Sequence, residues 1–362
     1  MAAWALQALR DQFAVTLATL GPVRFEEVNR NFGTSLRQAD FAVRIAPLSY
    51  KAIEKSVPTE GALLQICLVM RWAQELDRHQ PFDTILSTQN EADFGRPGLQ
   101  YVHFPWVYLP RPRCELRWYH HIPGFLMAYR GFCRRLARSS NEGLRRNLSF
   151  ANSEFVAGKI REVHGTEAVI LYPPVPGAFP EIPWENKRSA AVAVGRLSAY
   201  KRWDMAVEIV ELVRRRGLDL SLTLIGAGDD RQYGNRLAAL AATRPWFRIL
   251  SDLTRDQLTA EVAAHRYGIH TMENEHFGIA VAEMLRAGVI PFVHDSGGPV
   301  EIVGGRPELR FRDAAEAADR MAAVIANPAL EQDLRQHVRE RRDCFSSDRF
   351  CRELRQLVAA SS

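Results

Sequence analysis

The sequence predicts an α/β protein of two doubly wound units, and three observations carry that expectation. The chain has 362 residues, which at roughly 150 per domain gives two domains, each long enough to bury its own core. From Asn186 onward, short and uniformly apolar runs alternate with helical patterns, as in a parallel sheet covered by helices on both faces. Between the halves lies YPPVPGAFPEIPW, where Pro173, Pro174, Pro176, Pro180 and Pro183 forbid helix and central strand alike. This is the predicted linker.

In the second half the order reads AAVAV (190–194), a helix over 204–216, SLTLI, a helix over 235–242, and FRIL. It continues with a helix from Asp256, YGIHT, a helix from Phe277, and VIPFV from Val289. The first half shows strands near FAVTLAT, DTILST, LQYVHF, LSFAN and AVILY. Residues 4–10 read as a helix and 15–20 as the strand after it, so no strand precedes that helix where a doubly wound domain has its first, central one. Either that strand and its loop are missing from this chain, through a truncated or misassigned start, or the topology differs. The predicted boundaries are 1–178 and 179–345, with a C-terminal helix in 346–362 returning to the first domain.

Composition narrows the class. With 47% hydrophobic and 25% charged residues, 23 Gly and 19 Pro, disorder and collagen-like repeats drop out. The five cysteines are an odd number without a C-x-x-C pair, so a reducing compartment and no zinc site are expected. No run approaches the roughly 18 to 20 apolar residues of a membrane span, and Arg10 and Asp11 interrupt any signal core. The expected location is cytoplasmic. Against 42 acidic residues the 47 basic ones leave a net +5, too little to imply a nucleic-acid partner. The distribution is uneven. Nine arginines between Arg111 and Arg146 face only Glu115 and Glu142, interleaved with Trp118, Tyr119, Phe125, Tyr129 and Phe132, a composition suited to an anionic membrane surface or a lipid-diphosphate acceptor. A solvated arginine-rich helix face explains it equally well.

Open parallel sheets bind ligands beyond the carboxyl ends of their strands. At that edge AAVAV runs into Gly195-Arg196-Leu197, and Lys201 and Arg202 begin the next helix, where cations are disfavoured unless an anion lies between them. A surface pair is the plainer alternative. In MENEHFGIAVAEML, residues 272–285, Glu275 and Glu283 are eight apart, roughly 12 Å along a helix. That matches the reach from a sugar to the ribose of a nucleotide diphosphate sugar, with free amides near Phe277 to Ile279 facing the diphosphate. Alternatively Glu275 caps the helix and Glu283 pairs with an arginine. The turn Ser296-Gly297-Gly298-Pro299 suits close approach of backbone to a ligand. His103, ending the strand LQYVHF, sits at the first domain's carboxyl edge; His120 and His121 are weaker candidates. GAGDDR, residues 226–231, departs from a dinucleotide fingerprint at Arg231, and neither a D-x-D triplet nor a P-loop occurs.

The ordered set GRLSAYK, IGAGDD, ENEHFGIAVAE and SGGPVEIV resembles the retaining GT-B glycosyltransferases of family 4. YVHFP, ANSEFVAGKI, LYPPV and GIHTMENEHFGI look like the cytosol-facing α-1,2-mannosyltransferases that extend the lipid-linked N-glycan precursor. The resemblance implies two Rossmann-like domains with the active site in the cleft between them. It implies that Arg196 and Lys201 hold the donor diphosphate, Glu275 the sugar hydroxyls and Glu283 the ribose. The amides of Phe277, Gly278 and Ile279 and the Gly297-Gly298 turn complete the donor site. His103 contacts the transferred sugar near its anomeric side. The expected donor is a GDP- or UDP-linked sugar, with no cofactor and no metal, and the expected acceptor is a glycan or a lipid-linked molecule, the latter placing the protein peripherally at the inner face of a membrane. The competing reading is a non-catalytic nucleotide-sugar-binding or scaffold protein with a degenerate first domain.

Overall fold

A computed structural model describes residues 1–56, 63–106, 108, 122, 124–228 and 230–361. The chain divides into two units, Met1–Pro174 with Ser347–Ser362, and Val175–Ser346.

The second unit holds six parallel strands: β7 (Arg188–Val194), β8 (Ser221–Ile225), β9 (Phe247–Leu250), β10 (His265–His270), β11 (Ile290–His294) and β12 (Arg310–Phe311), ordered β12-β11-β10-β7-β8-β9. The runs read from the sequence give five of these strands and not the two-residue β12. Ala190 to Val194 are all buried, so both faces of β7 are covered, as central parallel strands require. Helix starts are marked by side chains that take free amides: Thr254 and Gln257 form a capping box for Arg255–Ala263, and Asp313 caps Ala314–Ala326. Under the sheet, the buried Lys187 ammonium donates to the carbonyls of Ala263 (2.6 Å) and Ala287 (2.8 Å), joining the ends of two helices.

In the first unit the strands, numbered in chain order, are β1 (Thr16–Thr19), β2 (Ala42–Ile45), β3 (Leu86–Ser87), β4 (Leu99–Val102), β5 (Leu148–Ala151) and β6 (Ala168–Ile170). They form two parallel sheets, β1-β2 and β3-β4-β5-β6. Among the described residues no ladder joins β1 to β3, although Val15 and Leu86 pack on one apolar cluster and Leu20 and Ile85 on another. The helix after β5, Glu154–His164, is capped by Ser153 and closed by Gly165 at φ +67°. The C-terminal helix Ser347–Ala359 lies against Ala2–Leu9, burying Phe350 and Leu354 with Ala5 and Ala8, while Arg355 Nε donates to the Ala8 carbonyl at 2.6 Å. No helix among the described residues is long and apolar enough to cross a membrane.

Candidate functional site

β7, β10 and β11 are neighbours in the second unit, and three loops leave their carboxyl ends. After β7, Gly195 turns the chain at φ +153°, a conformation that favours glycine, and Arg196 emerges exposed. Its guanidinium lies 5.6 Å from the centre of the Tyr200 ring, and among the described residues it has no carboxylate partner. Lys201 ends the short 3₁₀ turn Ala199–Lys201, with its ammonium 6.0 Å from the same ring. One aromatic ring thus gathers two cations. Arg202, at φ +55°, redirects the backbone into the helix Trp203–Arg215.

β10 ends at His270, and Thr271 donates its hydroxyl to the Lys201 carbonyl at 2.6 Å. Asn274, at φ +52°, then brings Glu275 back, so that Lys201 Nζ and Glu275 Oε2 form an ion pair. His270 Nε2 is 3.5 Å from the same oxygen. Burial alone would raise the Glu275 carboxyl, but the His270 contact and the Lys201 charge outweigh it and hold it well below the usual range. Burial pushes the fully enclosed His270 imidazole down, toward its neutral form. Arg202 pairs with Glu273. The two cations expected to await an anion therefore already face carboxylates of the chain itself.

The helix expected from Phe277 begins at Ile279 and runs to Arg286. Gly278, at φ +102°, is its N-cap, so Glu275 and Phe277 precede the helix, and the estimate of one helical rise between the two glutamates does not apply. Glu275 does not cap it either. No side chain does, which leaves first-turn amides open to an anion. Phe277 is buried, and Ile279 is 50% exposed. Glu283 is only 6% exposed and accepts from Arg255 Nη1 at 2.5 Å, which supplies the partner that a buried carboxylate needs. Burial pushes its carboxyl upward against the arginine's opposing charge.

The glycine pair was expected to let backbone approach a ligand. The structure places another protein loop there: Gly298 N donates to the Glu275 carbonyl at 2.9 Å, and a methyl group at Gly297 would meet that oxygen at 2.3 Å. Gly226 and Gly228 behave alike, since methyl groups there would meet the carbonyls of Gly195 (1.9 Å) and Leu197 (2.6 Å). In both loops small residues stack one site loop upon the next.

Arg196, Lys201, Glu275, Phe277, Gly278, Gly297 and Gly298 are thus linked by contacts or chain adjacency, with Ile279 following. Glu283 is directed to Arg255 instead. In the first unit His103 follows β4, half-buried, its Nε2 3.1 Å from the Thr88 carbonyl and its amide donating to Asn90 Oδ1 at 2.6 Å. Arg111, Arg113, Glu115, Arg117, Trp118, Tyr119, His120 and His121 lie outside the described residues, as does Asp229. Sequence reasoning gave no role to His270, Thr271, Tyr200 or Arg255. His270 had a usable signal, being an ionisable residue at the carboxyl end of a buried strand.

Residues 178–341 match the family Glycosyl transferases group 1. The chain is 23% identical over 235 residues to a GDP-Man:Man(3)GlcNAc(2)-PP-Dol alpha-1,2-mannosyltransferase of Dictyostelium discoideum, covering 58% of this chain and 46% of that protein. It is 30% identical over 205 residues to the protein of the same name from Mus musculus, covering 50% and 41%. The aligned stretch therefore spans less than half the length of either relative. Among solved structures, Anabaena HepE in complex with UDP superposes with a TM-score of 0.66 at 14% identity, covering 99% of this chain and 95% of that one. WaaG, a glycosyltransferase involved in lipopolysaccharide biosynthesis, gives 0.59 at 13% identity, covering 91% and 95%. These structures have the GT-B fold. The second unit of this α/β chain is a glycosyltransferase group 1 domain.

Proposed function

We propose that the protein transfers a hexose, mannose first among candidates, from a nucleotide diphosphate sugar to a glycan or lipid-linked acceptor, with retention at the anomeric carbon. The observation that carries this reading is the gathering of Arg196, Lys201 and an uncapped helix start around the carboxyl ends of β7 and β10, within the group 1 domain. The main barrier to such a transfer is charge developing on the departing diphosphate. Fixed donors aimed at that charge each supply about 3 to 4 kcal/mol. Arg196, Lys201 and the amides of Phe277, Gly278 and Ile279 take that role without a metal. Glu275 holds the sugar hydroxyls, Glu283 the ribose, and the Gly297-Gly298 turn keeps Glu275 in place. His103 is the first-unit residue that the resemblance assigns to the transferred sugar. Attack on the leaving-group face lets the departing phosphate serve as base. The names of the relatives specify GDP-Man and that of HepE specifies UDP, which makes GDP- and UDP-linked sugars the first donors to try.

A membrane-surface acceptor is favoured by the helix Phe125–Ala137, which leaves Met127 77% and Phe132 47% exposed near the exposed Arg135 and Arg138. Liposome co-sedimentation should rise with anionic lipid content; binding indifferent to lipid charge would dismiss this part. The transfer itself is tested by incubating the full chain with GDP-mannose or UDP-glucose and a lipid-linked oligosaccharide, then reading product anomeric configuration by NMR. A product of retained configuration is expected. Binding of nucleotide sugars with no turnover on any acceptor would favour the non-catalytic alternative.

A further inference from the structure

We infer that His270 is a positioning residue, which keeps the Glu275 carboxylate in place when Lys201 turns from it to a donor diphosphate. The inference rests on the function proposed above and concerns a conflict inside it. Lys201 is assigned to the diphosphate and Glu275 to the sugar, yet in this structure the two are paired with each other. Glu275 is little exposed, with 18% of its side chain accessible, and a carboxylate so placed is costly to leave without a partner.

His270 is the group that remains. It is the last residue of β10, fully buried, with Nε2 3.5 Å from Glu275 Oε2. That separation is at the outer edge of hydrogen-bond reach and shortens readily once the ammonium withdraws, as contacts in unloaded sites commonly do. Neither ring nitrogen makes a hydrogen bond among the described residues, and Nε2 is the one that faces a carboxylate. A proton on Nδ1 would therefore leave a buried N–H unsatisfied and turn the Nε2 lone pair toward a carboxylate. With the proton on Nε2, only a lone pair is left over, the cheaper arrangement. The imidazole is thus a neutral donor aimed at Glu275. Its neighbour Thr271 anchors the backbone of Lys201 through the 2.6 Å hydroxyl bond, so one strand end holds both members of the pair while leaving the ammonium free to swing.

The test compares His270→Gln, whose amide nitrogen can stand where Nε2 stands, with His270→Asn, whose shorter amide cannot reach Glu275, and with His270→Leu, which keeps volume and loses the donor. Affinities for GDP-mannose or UDP-glucose and for GDP or UDP alone are measured by calorimetry on the full chain, with melting temperatures recorded. The Asn and Leu variants should lose about tenfold or more in affinity for the nucleotide sugar, keep affinity for the diphosphate within about twofold, and be rescued to near wild type by Gln. Should Leu fail to fold, the contrast of Asn with Gln decides. Equal sugar affinity in all variants, or parallel losses of sugar and diphosphate binding, would overturn the inference while wild-type binding stands. A wild-type chain that binds no nucleotide sugar would overturn the proposed function and this inference together.

Discussion

The two units are built from the same elements and differ in how their sheets hold together. In the second, six parallel strands run unbroken and its β7 buries five successive residues. In the first, strands of two to four residues form separate sheets, and Thr16–Thr19 has no fully buried position. The continuous sheet emits three adjacent loops that lock on one another through glycines and the Lys201–Glu275 pair. The divided one offers a single candidate side chain, His103, held through Asn90 and Thr88. Charge stabilisation needs several donors fixed together, and in the second unit three neighbouring strand ends fix them.

The largest effect that would sharpen this comparison is kinetic. Lys201→Ala or Arg196→Ala should cut the transfer rate about a hundredfold or more, as losing one fixed anion donor does, whereas His103→Ala should cost about tenfold, the worth of one hydrogen bond. Steady-state rates with a nucleotide sugar check this; equal losses at all three positions would erase the distinction between units.

Next in size is the cost of adding one methyl group. Gly297→Ala must adopt φ +75° and meet the Glu275 carbonyl at 2.3 Å, so about 3 kcal/mol or more of stability should be lost. In the first unit Gly165→Ala meets nothing within 4 Å and should cost only about 1 kcal/mol, from φ +67° alone. Urea denaturation of both variants measures the pair, and similar losses would show that the second unit's loops are less tightly stacked than described.

Acid should also separate the units. Burial, aided by the Arg188 charge, pushes the His265 imidazole from 6.5 down to about 4, and burial lowers His270 and His294 as well. A depressed histidine binds its proton more readily unfolded, so the stability it contributes is complete above pH 6.5 and falls as the pH drops through this window. For His265 the loss is on the order of 3 kcal/mol by pH 4. In the first unit, Arg96 holds the Asp77 carboxyl down, and that contribution is lost only below about pH 4. Denaturation at pH 7, 5.5 and 4.5 with proteolytic fragment mapping should show the second unit weakening first, and the opposite order would contradict the assignment.

Legibility followed the same divide. SLTLI is a strand over the residues read, because four of its five residues are buried and a run covered on both faces announces itself; FRIL, at the sheet edge with Arg248 exposed, is a strand over the residues read as well. AVRI, residues 42–45, was missed: Arg44 interrupts it and three of its four residues are exposed, so neither a run nor an alternation marks it. At the site, the residue types were readable but not their partners. That Glu275 precedes its helix depends on the backbone of Asn274 and Gly278, and that Arg255 answers Glu283 depends on two helices packing together. Pairings across the sheet leave no local trace in a sequence. His270 fell in that gap, since its meaning comes from a carboxylate five positions on that returns to it only through a left-handed turn.

The claim on which the account turns is that the second unit grips a pyrophosphate with Arg196 and Lys201. Calorimetric titration of GDP and UDP into the full chain, beside Arg196→Ala and Lys201→Ala, tests it most directly. At least one nucleotide should bind the wild type and lose about tenfold or more in affinity in each variant. Binding that survives both substitutions unchanged would contradict it.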